Sequence, residues 1–340
     1  MVYLSYLGRR SGQAVLVLLG LSVLMFVLAR IVPGDPGRLA LGPNATAAQV
    51  QALDRDFGLD KPIWVQYARY LSGAVHGDFG TAILTRRNVF DDLRDTFPAT
   101  LELVLASTLL VVILGVPLGV LAALNRDGPI DAGARLLALF GVATPDFLVG
   151  IALQLIFGYI LGILPISGQL SPNLKFNQGI TGMVALDALL VANWQVFGSA
   201  LTHLLLPSIA LATAGLSQVV RLVRASMIEV LRREHVQAME LRGVPRTHIA
   251  FKYALKPALI PALTVVGLTF ASLFGEAFLI EAVFSWPGMA SYGVRAMLEK
   301  DLNAIVGVVL IVGLMFSISN LAMDVLRGYL DPRIRLKGTA

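Results

Sequence analysis

Six apolar runs, each long enough to cross a bilayer, leave this chain few folds to choose from. They cover residues 12–32, 98–124, 136–164, 201–223, 257–284 and 302–326. At a rise of about 1.5 Å per residue, some twenty helical residues cross a hydrocarbon core of about 30 Å. Inside lipid every backbone N–H and C=O needs an internal partner, so such runs form helices and not open sheet. The expected fold is therefore all-α, with six transmembrane helices in one bundle. Composition agrees. Of 340 residues, 56% are hydrophobic and 14% charged, whereas soluble domains carry about 25% charged residues. The first run lacks a small-residue cleavage site and is read as a retained span. Pro117 and Pro145 interrupt the second and third runs, which a bundle tolerates when neighbours satisfy the freed carbonyls.

The polar segments divide the rest. Residues 1–11 precede the first span. Residues 33–97 form a patterned insertion with Trp64, Tyr67, Tyr70 and Phe79, and residues 165–200 a second one with Trp194. Residues 224–256 separate spans four and five, 285–301 separate spans five and six, and 327–340 form a tail. About sixteen of the 27 Lys and Arg fall in the amino end, the 125–135 loop, the 221–256 stretch and the tail. Six spans put all four on one side, which the positive-inside rule makes cytoplasmic, with both termini there. The net charge of +5 is explained the same way and calls for no nucleic acid. The two aromatic insertions then lie outside, either to receive a partner or as interfacial belts.

Several chemistries are excluded. There is no cysteine, hence no disulfide or thiolate site. No GxxxxGK[ST] phosphate loop is present, His76, His203, His235 and His248 have no metal-binding spacing, and the Gly-x-Ser-x-Gly elbow is missing. The chain is not expected to be an enzyme, and uphill transport would draw on a partner or an ion gradient. Ionisable groups inside spans cost about 2.5–3.5 kcal/mol and often mark a pathway. The candidates are Asp146, Glu276, Glu281, Gln218 and Arg221. The competing reading is that each pairs with a neighbouring helix or a backbone group, and for Glu281, Glu102 and Asp324 a structural role is favoured.

Residues 232–261 are unlike their surroundings: basic, polar, and set between two long spans. They read as two short helices broken at Gly243, the second opened by Pro245. Val236 and Met239, at i and i+3, form an apolar edge on the first helix, flanked by Arg232, Arg233, Arg242 and Arg246.

Sequence blocks in order carry a resemblance: Pro33-Gly34-Asp35-Pro36, Phe57-Gly58-Leu59-Asp60-Lys61-Pro62, Gly77-Asp78-Phe79-Gly80, Pro98-Ala99-Thr100-Leu101-Glu102-Leu103, Glu281-Ala282-Val283-Phe284-Ser285-Trp286-Pro287-Gly288 and Asp331-Pro332-Arg333-Ile334-Arg335. The chain resembles the membrane permeases of the dipeptide, oligopeptide and nickel branch of binding-protein-dependent ABC importers, over nearly its whole length. Residues 237–243 are similar to that family's EAA-x3-G coupling motif. Gln237, Ala238 and Met239 take the EAA positions, Gly243 the glycine, and Leu259-Ile260-Pro261 the closing part. Met239 replaces a usual small residue and Glu240 a usual basic one.

The resemblance implies a type I importer permease fold with an extracytoplasmic insertion after the first helix, in a bacterial cytoplasmic membrane. It implies a pore shared with a homologous second permease and two ATPase subunits or domains, which would bind the ATP and Mg, none being held on this chain. It also implies an extracytoplasmic substrate-binding protein and a peptide substrate. Val236, Gln237, Ala238, Met239, Arg242, Gly243 and Arg246 would contact the ATPase. Nickel, glutathione and haem stay open as substrates. An ion-coupled secondary transporter and a non-transporting scaffold are the alternatives from other classes.

Overall fold

A computed structural model describes residues 2–31, 46, 61–176 and 179–330. The motifs at 33–36 and 331–335, most of that at 57–62, and much of the expected 33–97 insertion lie outside the described residues. Among the described residues the only extended pairing is an isolated antiparallel bridge between Thr81 and Asn88. Everything else is helix and loop, as the apolar runs require.

The helices are α1 (Val2–Ile31), α2 (Ile63–Val75), α3 (Val89–Leu124), α4 (Pro129–Ala143), α5 (Asp146–Leu153), α6 (Val184–Leu190), α7 (Trp194–Leu231), α8 (Glu234–Leu241), α9 (Arg246–His248), α10 (Leu255–Val283), α11 (Met289–Leu298) and α12 (Leu302–Leu330). A π-helical turn, Gln154–Ile160, extends α5, and another, Ile249–Ala254, leads from α9 into α10. Among the described residues, five helices are long and apolar enough to cross a membrane: Gly8–Leu28 within α1, α3, α7, the run Arg246–Val283, and Leu302–Leu326 within α12.

The sixth span corrects the sequence reading. Residues 136–164 were expected as one interrupted helix, but α4 and α5 meet at 108°. Thr144 is extended (φ −104°, ψ 126°), and Pro145 follows at φ −59° and ψ 135°. A proline has no N–H for the helix ladder and pushes the residue before it out of the helical region. Pro98, Pro117, Pro207 and Pro261, by contrast, all sit inside continuous helices.

Several helices begin earlier than the apolar runs do, two of them behind an asparagine cap. Asn88 accepts the Phe90 N–H at 2.9 Å and caps α3, with Asp91 and Asp92 in its first turn. Asn193 accepts the Val196 N–H at 3.2 Å and caps α7. Side-chain oxygens at these caps satisfy orphan amides, so the helices start in polar sequence.

α7 is the centre of the bundle and packs against α3, α10, α4, α5 and α6. Over half of its apolar window is buried (56%), against 17% for α1, which lies at the periphery on α12 and α2. Small residues permit the tightest contact. A Cβ on Gly115 would meet Val219 at 3.0 Å, and one on Gly119 would meet Val223 and the Val220 carbonyl at under 3 Å. This is the small-xxx-small spacing by which membrane helices approach closely. Around α7 lie two cores. One, with Leu103, Leu206, Phe274, Phe284 and Trp286, fills the end that holds α6 and α11. The other, with Val120, Val223, Met227, Val230, Ala250 and Ala254, fills the basic end that holds α8 and α9.

Candidate functional site

The basic end presents the 232–256 element with the turn at Gly243 that the sequence predicts, but the expected second short helix is not separate. α9 runs through the π-helical turn into α10 as the continuous run Arg246–Val283, and only α8 is a short helix by itself. Its termination is a Schellman motif. The Val244 N–H donates to the Met239 carbonyl at 3.2 Å and the Gly243 N–H to the Glu240 carbonyl at 2.9 Å. Gly243 sits at φ +77°, where an L side chain is penalised by about 1–2 kcal/mol. No atom lies within 4 Å of a Cβ built there, so the constraint is one of backbone handedness and not of space. Glu240 pairs across the turn with Arg246 at 3.8 Å. Both are exposed, and such a pair contributes at most about 1 kcal/mol.

The expected apolar edge needs correction. Val236 is fully buried, and Met239 half-buried. α8 packs on α7 and on the π-helical turn, and Val236 is its anchor. An eight-residue helix is marginal by itself and keeps its shape by burying one face. The residues left outward are Gln237, Ala238, Arg242 and Arg246. With them is one residue the sequence reading passed over, Leu241, at 90% exposure. Its signal was a leucine immediately before the cap of a polar helix. Phe251 and Tyr253 on the π turn are exposed as well, with Tyr253 edge-on to His248.

The candidate pathway residues divide into two groups. Asp146 opens α5 at the 108° break. Gly141, before it, closes on Thr213, and Gly150, after it, faces Ala210 at 3.5 Å. Asp146 therefore lies beside the middle of α7, about one to two turns from Gln218 and Arg221, both exposed. Its Oδ1 is buried without a hydrogen-bond partner among the described residues, and it is within electrostatic reach of Glu276 on α10. Glu276 stands on an exposed face with Ser272, Gly275 and Leu279.

Glu281 belongs elsewhere. It is fully buried, which takes it out of the candidate pathway set and fits the structural role that the sequence favours for it. Its Oε1 accepts the Thr100 hydroxyl at 2.5 Å and its Oε2 the Ser291 N–H at 2.8 Å. Thr100 Oγ1 also accepts the Met289 N–H at 2.7 Å, and the Trp286 indole donates to the Ala99 carbonyl at 2.9 Å. Two of the sequence blocks that carried the resemblance, 98–103 and 281–288, are thus one hydrogen-bonded joint. Glu102 is structural as well, accepting the Ala185 N–H at 2.6 Å and the Gln169 amide at 2.8 Å. Asp324 pairs with Arg10 at 3.2 Å and ties α12 to α1.

The same device recurs across this end. Asp301 accepts the Ile83 N–H at 2.5 Å, and Asp92 takes the Thr85 hydroxyl at 2.5 Å and the Tyr292 hydroxyl at 3.2 Å. Asp187 accepts backbone N–H groups of Ile180, Thr181 and Gly182 at 2.9–3.1 Å and the Thr181 hydroxyl at 2.7 Å. Burial pushes the Asp187 carboxyl up, but these hydrogen bonds outweigh it and hold the group below its usual range. A depressed carboxylate contributes order that is present above its unfolded value, near 3.9, and is lost as pH falls through the lower folded value. Hydrogen exchange of peptides covering 179–190 is therefore expected to stay slow at pH 5 and quicken only in stronger acid. Asp187→Asn should exchange fast at every pH, and equal protection in both proteins would refute the assignment. Trp64 and Trp194 stand out from this end at 71% and 67% exposure.

Comparison with known proteins places this architecture. Residues 3–104 match the N-terminal family model of binding-protein-dependent transport system membrane components, and residues 115–336 match the model for the inner membrane component itself. The chain is 40% identical to a probable D,D-dipeptide transport system permease protein of Escherichia coli K12, over 98% of each chain. It is 36% identical to a di/tripeptide transport system permease of Pseudomonas aeruginosa, over 98% of this chain and 99% of that one. It is 33% identical to a glutathione transport system permease of E. coli O1:K1, over 98% and 100%. An all-α bundle of five or six apolar helices matches both models almost end to end: the chain belongs to the family of inner membrane components of binding-protein-dependent transport systems.

Proposed function

We propose that this permease forms half of a translocation pore for di- or oligopeptides, paired with a homologous permease and driven by two ATPase subunits or domains. The observation that carries the reading is the Gly243-terminated element at the basic end. It holds Leu241, Arg242 and Arg246 outward while Val236 anchors it to the bundle. A compact, rigidly anchored knob on a chain that has no phosphate loop of its own is suited to transmit force from a separate motor. The basic end is cytoplasmic in this reading, with both termini on that side. The opposite end, with Trp64 and Trp194, receives a substrate-loaded binding protein.

Peptide is the favoured substrate because relatives named for dipeptides match over the full chain. Glutathione, itself a short peptide, is the second reading, supported by the glutathione permease; nickel and haem stand behind it. In the pathway we place Asp146 and Glu276 with Gln218 and Arg221. A broken helix at mid-membrane depth is where transporters commonly hold substrate, and the two carboxyls suit a peptide's amino group.

The test is uptake by the complete transporter in proteoliposomes. Uptake should require ATP and the binding protein and ignore proton and sodium gradients. Asp146→Ala/Glu276→Ala should lower peptide uptake by about ten-fold or more, the scale of losing a charged contact. Gradient-driven uptake without ATP would overturn the importer reading, and unchanged uptake in the double variant would remove both acids from the path.

A further inference from the structure

We infer that Asp131 and Arg224 act as a clasp that joins α4 to α7 into one moving part, delivering displacement of the 232–256 element to the break at Thr144–Pro145. The inference rests on the coupling role proposed above and adds the route by which force leaves the basic end.

Asp131, in the first turn of α4, is fully buried, and both its carboxylate oxygens are engaged. Arg224 of α7 grips it as a fork, its Nε on Oδ1 and its Nη2 on Oδ2 at 2.8 Å. The Asp127 N–H adds a hydrogen bond to Oδ2 at 3.0 Å, and Arg135 Nε approaches at 3.7 Å. A two-point grip fixes direction as well as distance. Desolvation offsets much of a buried pair's attraction, so such a pair adds little to stability and is better explained by what it positions.

The rest of the α4–α7 contact is made of small groups. Ala134, Ala138 and Gly141 are the residues α4 buries besides Asp131. At its far end Gly141 admits the Thr213 carbonyl and the Ser217 side chain, and Ser217 Oγ reaches back toward the Leu137 carbonyl at 3.4 Å. Leu136, Leu139 and Phe140 face outward at 58–68% exposure. A helix seated on alanine and glycine has little side-chain interdigitation to stop it sliding, and the clasp at its free end supplies that stop.

Two further features give the clasp its direction. α7 runs without interruption from Arg224 to Leu231, burying Met227 and Val230 against Ala250 and Ala254 of the π turn, and α8 follows three residues later. Beyond Ala143, α4 has no helical continuity with α5. A push on α8 thus reaches α4 through α7 and Arg224, and the first place where the backbone can yield is Thr144–Pro145. Asp146 is the next residue.

The clasp is a positioning pair, and its test is a ratio. In the reconstituted transporter, the double variant Asp131→Asn/Arg224→Gln, which leaves no lone buried charge, should keep assembly and ATP hydrolysis near the unmodified level. Peptide taken up per ATP should fall about five-fold or more, the lower end of a typical coupling energy. The double variant should be no worse than either single one, since both remove the same link. Uptake and hydrolysis falling in parallel, or an unchanged ratio, would overturn the clasp.

A second measurement does not depend on those variants. The chain has no cysteine, so spin labels can be placed in pairs on it alone, in a complex whose other subunits are made cysteine-free. Leu136→Cys with Ala225→Cys spans the clasp, and Leu136→Cys with Leu148→Cys spans the break. On ATP binding the first separation should hold and the second should change. A changing first separation, or a constant second, would overturn the proposal even where the labelled complex transports normally. Absence of ATP-driven uptake in the unmodified complex would instead overturn the importer reading, and the clasp with it.

Discussion

Glu281→Ala is expected to cost this permease most of its folded yield. The substitution leaves the Thr100 hydroxyl and the Ser291 N–H without an acceptor in a site closed to water. Each stranded donor costs roughly 1–3 kcal/mol, a large share of the 5–15 kcal/mol that holds a typical protein folded. Gly288 sharpens the point. A Cβ there would overlap the Glu281 carboxyl, so Gly288→Ala should damage the same joint from the other side. Glu281→Gln keeps one acceptor but turns an NH₂ toward a donor, and should fall between. Thermal unfolding and monodispersity of the detergent-purified protein are the measurements. A Glu281→Ala protein that melts like the parent would show that the joint is not structural.

Leu241→Asp should do the reverse, leaving the fold intact and removing the function. At 90% exposure the side chain contributes little to the bundle, and a polar replacement at this position costs little in stability. If Leu241 enters a groove of the ATPase, the substitution buries a charge there, and loss of such a central anchor is worth about 2 kcal/mol or more, some thirty-fold in affinity. Co-purification of the ATPase subunits with the permease should fall accordingly, and uptake with it, while melting temperature holds. Normal ATPase retention would eliminate Leu241 as the knob. Val236→Asp is the contrasting control: it should destabilise the protein, because that residue faces inward.

These two substitutions mark what was legible in the sequence and what was not. The punctuation of the 232–256 element is local chemistry: a glycine where φ is positive, then a proline at a helix start, and both were readable. Which side of α8 faces a partner was not, since Val236 and Leu241 differ only in what α7 puts beneath them. The six apolar runs gave the all-α class, yet of Pro98, Pro117, Pro145, Pro207 and Pro261 within those runs, four sit inside continuous helices and only Pro145 marks a break. Its neighbours Thr144 and Asp146 are polar where those of Pro117 are Val116 and Leu118, so the helix start after Pro145 was signalled, although the angle of the break was not. The early starts of α3 and α7 were signalled by Asn88 and Asn193, caps that polarity alone disguises as loop. The buried acids are the least legible of all. Asp301, Glu281 and Asp131 find partners 93 to 218 residues away, and a single sequence carries no trace of such pairing.

Those separations also impose an order on biosynthesis. The Ile83 amide meets Asp301 across 218 residues, and Asp92 meets Tyr292 across 200. At about 5–20 residues per second, a ribosome needs on the order of 10–40 s to supply the second half of each bond. Until the chain around α11 and α12 is made, the Ile83 amide lacks its Asp301 acceptor and Asp92 lacks the Tyr292 hydroxyl. The last two helices therefore close the joint around residues 83–92, which is completed only when most of the chain has been made.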